Sequence, residues 1–132
     1  MKAAESSAAT AWLGIEVASE GEREAVLVMP TRPEMGNRAG VVHGGFIALL
    51  ADSAMGRAMG TVLPDGERHY SFDLKINFIS AGRIGERLAA VARVLHSGRR
   101  TGVAECRVEG EDGRLVATAT ATFIVQRPGQ ET

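Results

Sequence analysis

His43-Gly44-Gly45-Phe46-Ile47-Ala48-Leu49-Leu50-Ala51-Asp52-Ser53-Ala54-Met55-Gly56-Arg57-Ala58-Met59 is the stretch on which the fold turns. From Phe46 onward it holds no proline and few β-branched residues. It is apolar nearly all round, as a helix inside a core is and a surface helix is not. Leu63-Pro64-Asp65-Gly66 ends it with turn chemistry. A central helix over about 43–60 is therefore expected, with other elements packed on it from several sides.

The flanks say what those elements are. Upstream, an Ala-rich segment over 5–13 ending in Trp12-Leu13 and Gly14 reads as a short helix. Strands are expected at Ile15–Ser19 and Glu22–Met29 with Glu20-Gly21 as their turn, then a loop broken by Pro30, Pro33, Gly36 and Gly40. Downstream the chain is all strand. Tyr70, Phe72, Leu74, Ile76 and Phe78 alternate with Ser71, Asp73, Lys75 and Asn77. Glu86–His96, Arg99–Glu109 and Leu115–Gln126 follow, separated by Ser97-Gly98 and Glu111-Asp112-Gly113. In the last of these, Thr118, Thr120 and Thr122 share one face, opposite Ala117, Ala119, Ala121 and Phe123. The fold class is α+β: an antiparallel sheet of about five or six strands wrapped around one long helix. No repeat or linker divides residues 1–132, so a single domain is expected, with a polar tail over 127–132.

Composition narrows the function classes. Hydrophobic residues at 45% and charged residues at 23% describe a globular chain and argue against disorder. A formal net charge of −1 gives no basic field toward nucleic acid or an anionic membrane, and neither partner is expected. Cys106, the only cysteine, can form no internal disulfide; its strand-like surroundings mark it as a small core residue. No apolar run has signal-peptide or membrane-spanning length, so a soluble, cytoplasmic setting is expected.

Asp52 is the anomaly of the central helix. At three- and four-residue spacings its neighbours are Ala48, Leu49, Met55 and Gly56, none able to pair with it. A buried carboxylate without donors is costly, and poised carboxylates gather at active sites. The plain alternative is an Asp that caps a turn or reaches solvent, against which its mid-helix place argues. Gly44-Gly45 is the second anomaly. Helix N-termini offer unpaired N–H groups at the positive dipole end, and glycines there let a substrate oxygen come close, as an oxyanion hole requires. A simple turn before a helix is the alternative. His43 is either a general base or, more commonly beside a helix start, a structural hydrogen-bonding group. Phosphate-loop and Gly-x-Ser-x-Gly motifs are missing, and His43, His69 and His96 make no metal site.

Gly44 and Asp52 are eight residues apart, about 12 Å along a helix. One carbonyl group, with a hydrogen-bond reach of about 3 Å, cannot touch both. If both serve one reaction they come from two copies of the chain, with antiparallel helices.

The stretch Asn37-Arg38-Ala39-Gly40-Val41-Val42-His43-Gly44-Gly45, followed by Leu50-Ala51-Asp52, resembles the hotdog-fold thioesterases of the phenylacetic-acid-degradation type. So do Tyr70–Phe78 and Val94-Leu95-His96-Ser97-Gly98-Arg99-Arg100. The resemblance implies a hotdog fold and a homodimer at minimum, commonly a homotetramer, with active sites at subunit interfaces. It implies that Gly44 N–H holds a thioester carbonyl oxygen and that Asp52 of the facing subunit activates water or attacks the carbonyl. Asn37 would position substrate or water, and Ser71 would bond near Asp52. His43 and Gly45 would lie along the substrate. Arg99 and Arg100 after Gly98, with Arg83 behind them, are the candidates for the phosphates of coenzyme A.

The expected reaction is hydrolysis of an acyl-CoA, aryl or phenylacetyl-type among the candidates, to acid and CoA, with no metal or organic cofactor because CoA is part of the substrate. A thioester is already activated, so a carboxylate and an oxyanion hole suffice. The alternatives are an enoyl-thioester hydratase or dehydratase on the same fold, and a non-catalytic acyl-CoA-binding protein. Phe46, Leu49, Met55 and Phe72 are candidates to line an apolar acyl pocket, or to be core.

Overall fold

The computed structural model describes residues 7–127. Glu5 and Ser6 of the expected first helix, and residues 128–132 of the expected tail, lie outside them. Ser7 caps α1 (Ala8–Trp12), its hydroxyl accepting from Thr10 N–H. β1 (Glu16–Gly21) and β2 (Glu24–Pro30) follow, then α2 (Gly44–Gly60), β3 (Arg68–Phe78), β4 (Arg87–Ser97), β5 (Thr101–Glu109) and β6 (Leu115–Gln126). The strands form one six-stranded antiparallel sheet in the order β1-β2-β4-β5-β6-β3.

Two boundaries differ from expectation. The first hairpin turns at Glu22-Arg23, not at Glu20-Gly21. Arg23 adopts φ 70, an uncommon state for a non-glycine residue. Tertiary bonds hold it there: its N–H donates to Thr61 Oγ1 at 2.8 Å and its guanidinium to Val94 O at 3.1 Å. β5 begins at Thr101, which leaves Arg99 and Arg100 exposed in the preceding turn.

α2 crosses one face of the sheet and touches β2 through β6. Ile47, Leu50, Ala51, Ala54, Met55, Ala58 and Met59 are its buried side. They meet a sheet face rich in alanine, including Ala90, Ala92, Ala104, Ala117, Ala119 and Ala121. Small side chains let the helix sit close to the strands, and Gly102 shows how close: a Cβ there would fall 2.1 Å from Met59 Cε. Cys106 lies in this layer, where burial pushes its thiol up to about 12. Met55 is core, not pocket.

The helix is not buried all round, as its composition suggested. Ala48, Asp52, Ser53 and Gly56 lie along a half-open stripe, and Gly45 and Gly60 are exposed. Small and polar residues fall there, so the apolar count along the helix concealed an open side.

β3 also departs from its pattern. A bulge between Ser71 and Asp73 breaks the alternation. Ser71 pairs with Phe123, and Leu74, Ile76 and Phe78 pair with Ala121, Ala119 and Ala117, all on the helix side. Tyr70 is turned to the other face opposite Ile124. β3 is an edge strand, and it leaves Phe72 61% and Phe78 55% exposed.

The loop before α2 is held by a buried carboxylate. Glu86 accepts from the N–H of Arg83 at 2.6 Å, the N–H of Glu111 at 3.0 Å and the guanidinium of Arg114 at 2.5 Å. Burial alone would raise its pKa; the backbone donors and Arg114 outweigh that and hold it below the usual carboxylate value. The segment it anchors bonds to the approach of α2, since Val42 N–H donates to Gly82 O at 2.9 Å and Val41 bridges Arg83.

Candidate active site

The N-terminus of α2 is built by three short-range bonds. His43 is the extended N-cap residue, fixed by its own N–H to Met35 O at 2.8 Å. Its Nδ1 accepts from Gly45 N–H at 3.1 Å, and its carbonyl accepts from Phe46 N–H at 3.0 Å. Gly44, at the first helical position, has no intrahelical acceptor, and its N–H finds no other among the described residues. So the two glycines are not equivalent: Gly45 N–H is committed to the imidazole, and Gly44 N–H is left for a ligand. With Nδ1 accepting, neutral His43 carries its proton on Nε2. Phe78 closes over Gly44, where a Cβ would come 2.9 Å from the ring Cζ.

Asn37 stands beside this helix end, in an open hollow with Gly36, Arg38, Ala39 and His43. Its Oδ1 accepts from Ala39 N–H at 2.9 Å and Val41 N–H at 3.2 Å. Those bonds leave only the Nδ2 hydrogens for a ligand, so this amide can donate and has little capacity to accept.

Asp52 lies two turns along α2, half-exposed, with no hydrogen bond or ion pair among the described residues. The β3 bulge turns Ser71 toward the same helix, although no bond joins the two side chains. Two further residues were not foreseen. His69 Nε2 lies 2.7 Å from Gly56 O, and its ring meets Phe123 edge-on at 5.6 Å. His69 and Phe78 thus pin the two ends of β3 along α2. The sequence signal for both was the strand pattern, which the bulge obscured.

The remaining candidates divide between the ends of the helix. Arg83 lies near Val41, at the Asn37–Gly44 end, and pairs with Asp112 at 3.5 Å. The Gly98-Arg99-Arg100 turn lies at the other end, since Gly102 abuts Met59. For a helix of 17 residues that is about 25 Å away. A single chain therefore joins Asn37, His43 and Gly44 but keeps Asp52 and Gly98–Arg100 apart from them. Among the described residues no group of three His, Cys, Asp or Glu side chains could hold a metal ion. No helix there is long and apolar enough to cross a membrane.

Comparison with known proteins agrees with this fold. Residues 39–117 match the Thioesterase superfamily. The medium/long-chain acyl-CoA thioesterase YigI of Escherichia coli is 32% identical, with 86% of this chain and 82% of that protein covered. The acyl-coenzyme A thioesterase PaaI of Escherichia coli is 32% identical over 86% of this chain and 79% of its own length. Its solved structure, described as from the phenylacetic acid degradation operon, superimposes with a TM-score of 0.85 at 30% identity, covering 92% of this chain and 86% of that one. The conserved protein PA5202 of Pseudomonas aeruginosa gives a TM-score of 0.86 at 36% identity, with 92% and 95% covered. The chain belongs to the Thioesterase superfamily and is a thioester hydrolase of the hotdog fold.

Proposed function

We propose that this protein hydrolyses acyl-CoA thioesters in active sites shared between two copies of the chain. The observation that carries the reading is the helix end itself: His43 takes the N–H of Gly45 and of Phe46, and among the described residues Gly44 N–H has no acceptor. The thioester oxygen accepts from Gly44 N–H at the positive end of the helix dipole and from Asn37 Nδ2. The partner's Asp52 takes a proton from water as it attacks the carbonyl carbon, or attacks that carbon itself, in which case water afterwards hydrolyses the acyl–Asp52 anhydride. The tetrahedral intermediate collapses, the C–S bond breaks, and CoA leaves as thiolate. Ser71 bonds to Asp52 or to the water. His43 serves by holding the helix end, and Gly45 by leaving room for that imidazole. With Nδ1 already accepting, His43 is poorly suited as the base of a hydratase, which favours hydrolysis. CoA is substrate, and the chemistry calls for no further cofactor.

The bare edge of β3 supports the sharing. Antiparallel pairing of β3 with its copy would extend the sheet and cover Phe72 and Phe78. Phe78 sits on Gly44 and His69 on Gly56, at opposite ends of the strand. Two-fold pairing thus sets Gly44 of one chain level with the Asp52–Gly56 turns of the other, and brings Gly98–Arg100 of that chain toward the same side for the CoA phosphates. A homodimer is the minimum, with two dimers forming a tetramer; the setting is the cytoplasm. The acyl group is apolar, a phenylacetyl-type or aliphatic chain.

The test is a thiol-release assay on purified Asp52→Ala, on Asn37→Asp, and on a mixture of the two after chain exchange. Each variant alone should be inactive against any acyl-CoA the native protein cleaves, and the mixture should regain activity. An active Asp52→Ala protein, or no recovery despite demonstrated exchange, would sink the reading.

A further inference from the structure

Among the described residues the polar or charged side chains that are buried are Thr31 and Glu86, each 7% exposed. They lie together and close on one turn. Thr31 Oγ1 accepts from Gly85 N–H at 2.9 Å and faces two carbonyls it can donate to, Glu86 O at 2.5 Å and Arg83 O at 3.0 Å. Thr31 N–H also donates to Glu86 O, at 3.1 Å. The Glu86 carboxylate takes Arg83 N–H at the start of the same turn. Gly85, at φ 98, lets the chain bend tightly enough for both side chains to reach it.

This turn is the partner of the chain that enters α2. Arg83 forms an antiparallel bridge with Val41, and Val42 N–H donates to Gly82 O at 2.9 Å. The two segments are close, since a Cβ on Gly82 would lie 3.3 Å from Val42 Cβ. Val41 in turn holds Asn37 twice. Its carbonyl accepts from Asn37 N–H at 2.8 Å, and its N–H donates to Asn37 Oδ1 at 3.2 Å. The backbone and the side-chain amide of Asn37 are thus both set by Val41, Val41 is set against Arg83, and Arg83 is clasped by Thr31 and Glu86.

We propose that Thr31 and Glu86 are positioning residues for the reaction: through Arg83 and Val41 they aim the Asn37 amide at the thioester oxygen that Gly44 N–H binds. The inference rests on the thioesterase reading above. Two apolar residues would fill the same space without the desolvation that a buried hydroxyl and carboxylate incur. Apolar packing tolerates small slides, whereas a fully bonded polar cluster fixes one geometry. A donor to an oxyanion needs that precision, since displacement by about 1 Å costs up to about a hundredfold in rate. Both side chains sit behind the loop, so they act through Asn37 and not on the substrate.

The experiment compares Thr31→Val, which removes the hydroxyl, with Thr31→Ser, which keeps it. Thiol release from decanoyl-CoA and phenylacetyl-CoA gives kcat and KM, and ¹⁵N spectra follow the Asn37 side-chain NH2 and the Val41 amide. Thr31→Val should lower kcat about tenfold and leave KM within about twofold, while Thr31→Ser stays within about threefold of native. In the Asn37→Asp chain the same Thr31→Val change should cost less than about twofold, because the donor it aims is gone. The Asn37 and Val41 resonances should shift in Thr31→Val and hold in Thr31→Ser. Glu86→Gln takes the place of Thr31→Val if that protein does not fold. Native kcat per folded Thr31→Val molecule, the same tenfold loss in both backgrounds, or unmoved resonances would each overturn the proposal and leave the pair a role in folding alone. Shifted resonances in Thr31→Val, with Asn37→Asp by itself turning over at the native rate, would uphold the clasp on Asn37 and refute the site reading on which its catalytic role rests.

Discussion

Gly44→Ala perturbs the site at the point where chemistry and packing meet. The added Cβ would lie 2.9 Å from Phe78 Cζ and 3.1 Å from its Cε1. Carbon atoms prefer about 3.5–4.0 Å, so the ring or the helix end must give by about 0.5–1 Å. The variant keeps the N–H, so any loss comes from displacement. A misplacement near 1 Å costs up to about a hundredfold in rate, or about 2.7 kcal/mol in the barrier. Overpacking adds a stability cost of about 1–3 kcal/mol. Thiol release under saturating and subsaturating substrate would show the loss mainly in kcat, because the proposed oxyanion bond strengthens in the transition state. Phe78→Ala removes the obstacle, so Gly44→Ala/Phe78→Ala should be faster than Gly44→Ala alone, a coupling that a double-mutant cycle reads directly. A folded Gly44→Ala protein with native kcat would refute the reasoning. So would a double variant as slow as the single one with Phe78→Ala itself near native.

Asn37→Asp keeps an oxygen for Ala39 and Val41 N–H but replaces the Nδ2 donor with negative charge. It should lower kcat about a hundredfold or more with little change in Tm, whereas Asn37→Ala should lower both, measured by kinetics and thermal melts. Glu86→Gln should destabilise the fold by about 1.5–3 kcal/mol in denaturant titrations, because it weakens the charged hydrogen bond to Arg114, which keeps Asp112 at 2.7 Å. The folded Glu86 pKa lies below its unfolded value, so its contribution is present above about pH 4.3 and fades as pH falls through the lower folded value; Glu86→Gln should flatten the acid limb of a stability–pH curve. In single-turnover hydrolysis in ¹⁸O-water, label appearing in Asp52 marks direct attack by the carboxylate through an acyl–Asp52 anhydride.

The central helix, the strand count and the buried place of Cys106 were legible because periodicity and composition report burial, and burial dominates the energy. Asp52 and Gly44-Gly45 were legible as local anomalies. The pattern failed where tertiary contacts set the backbone. The Ser71 bulge adds one residue to β3, and nothing in Tyr70–Phe78 distinguishes a perfect alternation from a slipped one. Arg23 takes a turn position through bonds to Thr61 and Val94, far away in sequence. The roles of His43 and Asn37 depend on which nitrogen or oxygen is already occupied, and no spacing rule carries that information.

The proposed dimer gives the open side of α2 and the bare edge of β3 one explanation. An edge strand with exposed phenylalanines is a liability in a lone chain, and so is a helix that leaves a carboxylate half-covered and unpaired. A second copy added along β3 relieves both at once. The bulge that turns Ser71 inward sits near the middle of that strand, where a two-fold axis would pass. In the proposed dimer, loss of pairing would also move Ser71 and separate Gly44 from the facing Asp52. Charge introduced on the edge, as in Phe72→Asp, should then abolish turnover and dissociate the assembly over the same concentration range, as followed by light scattering and thiol release. Monomers that still turn over at the native rate would show that one chain suffices, and that the 12 Å between Gly44 and Asp52 along the helix is spanned some other way.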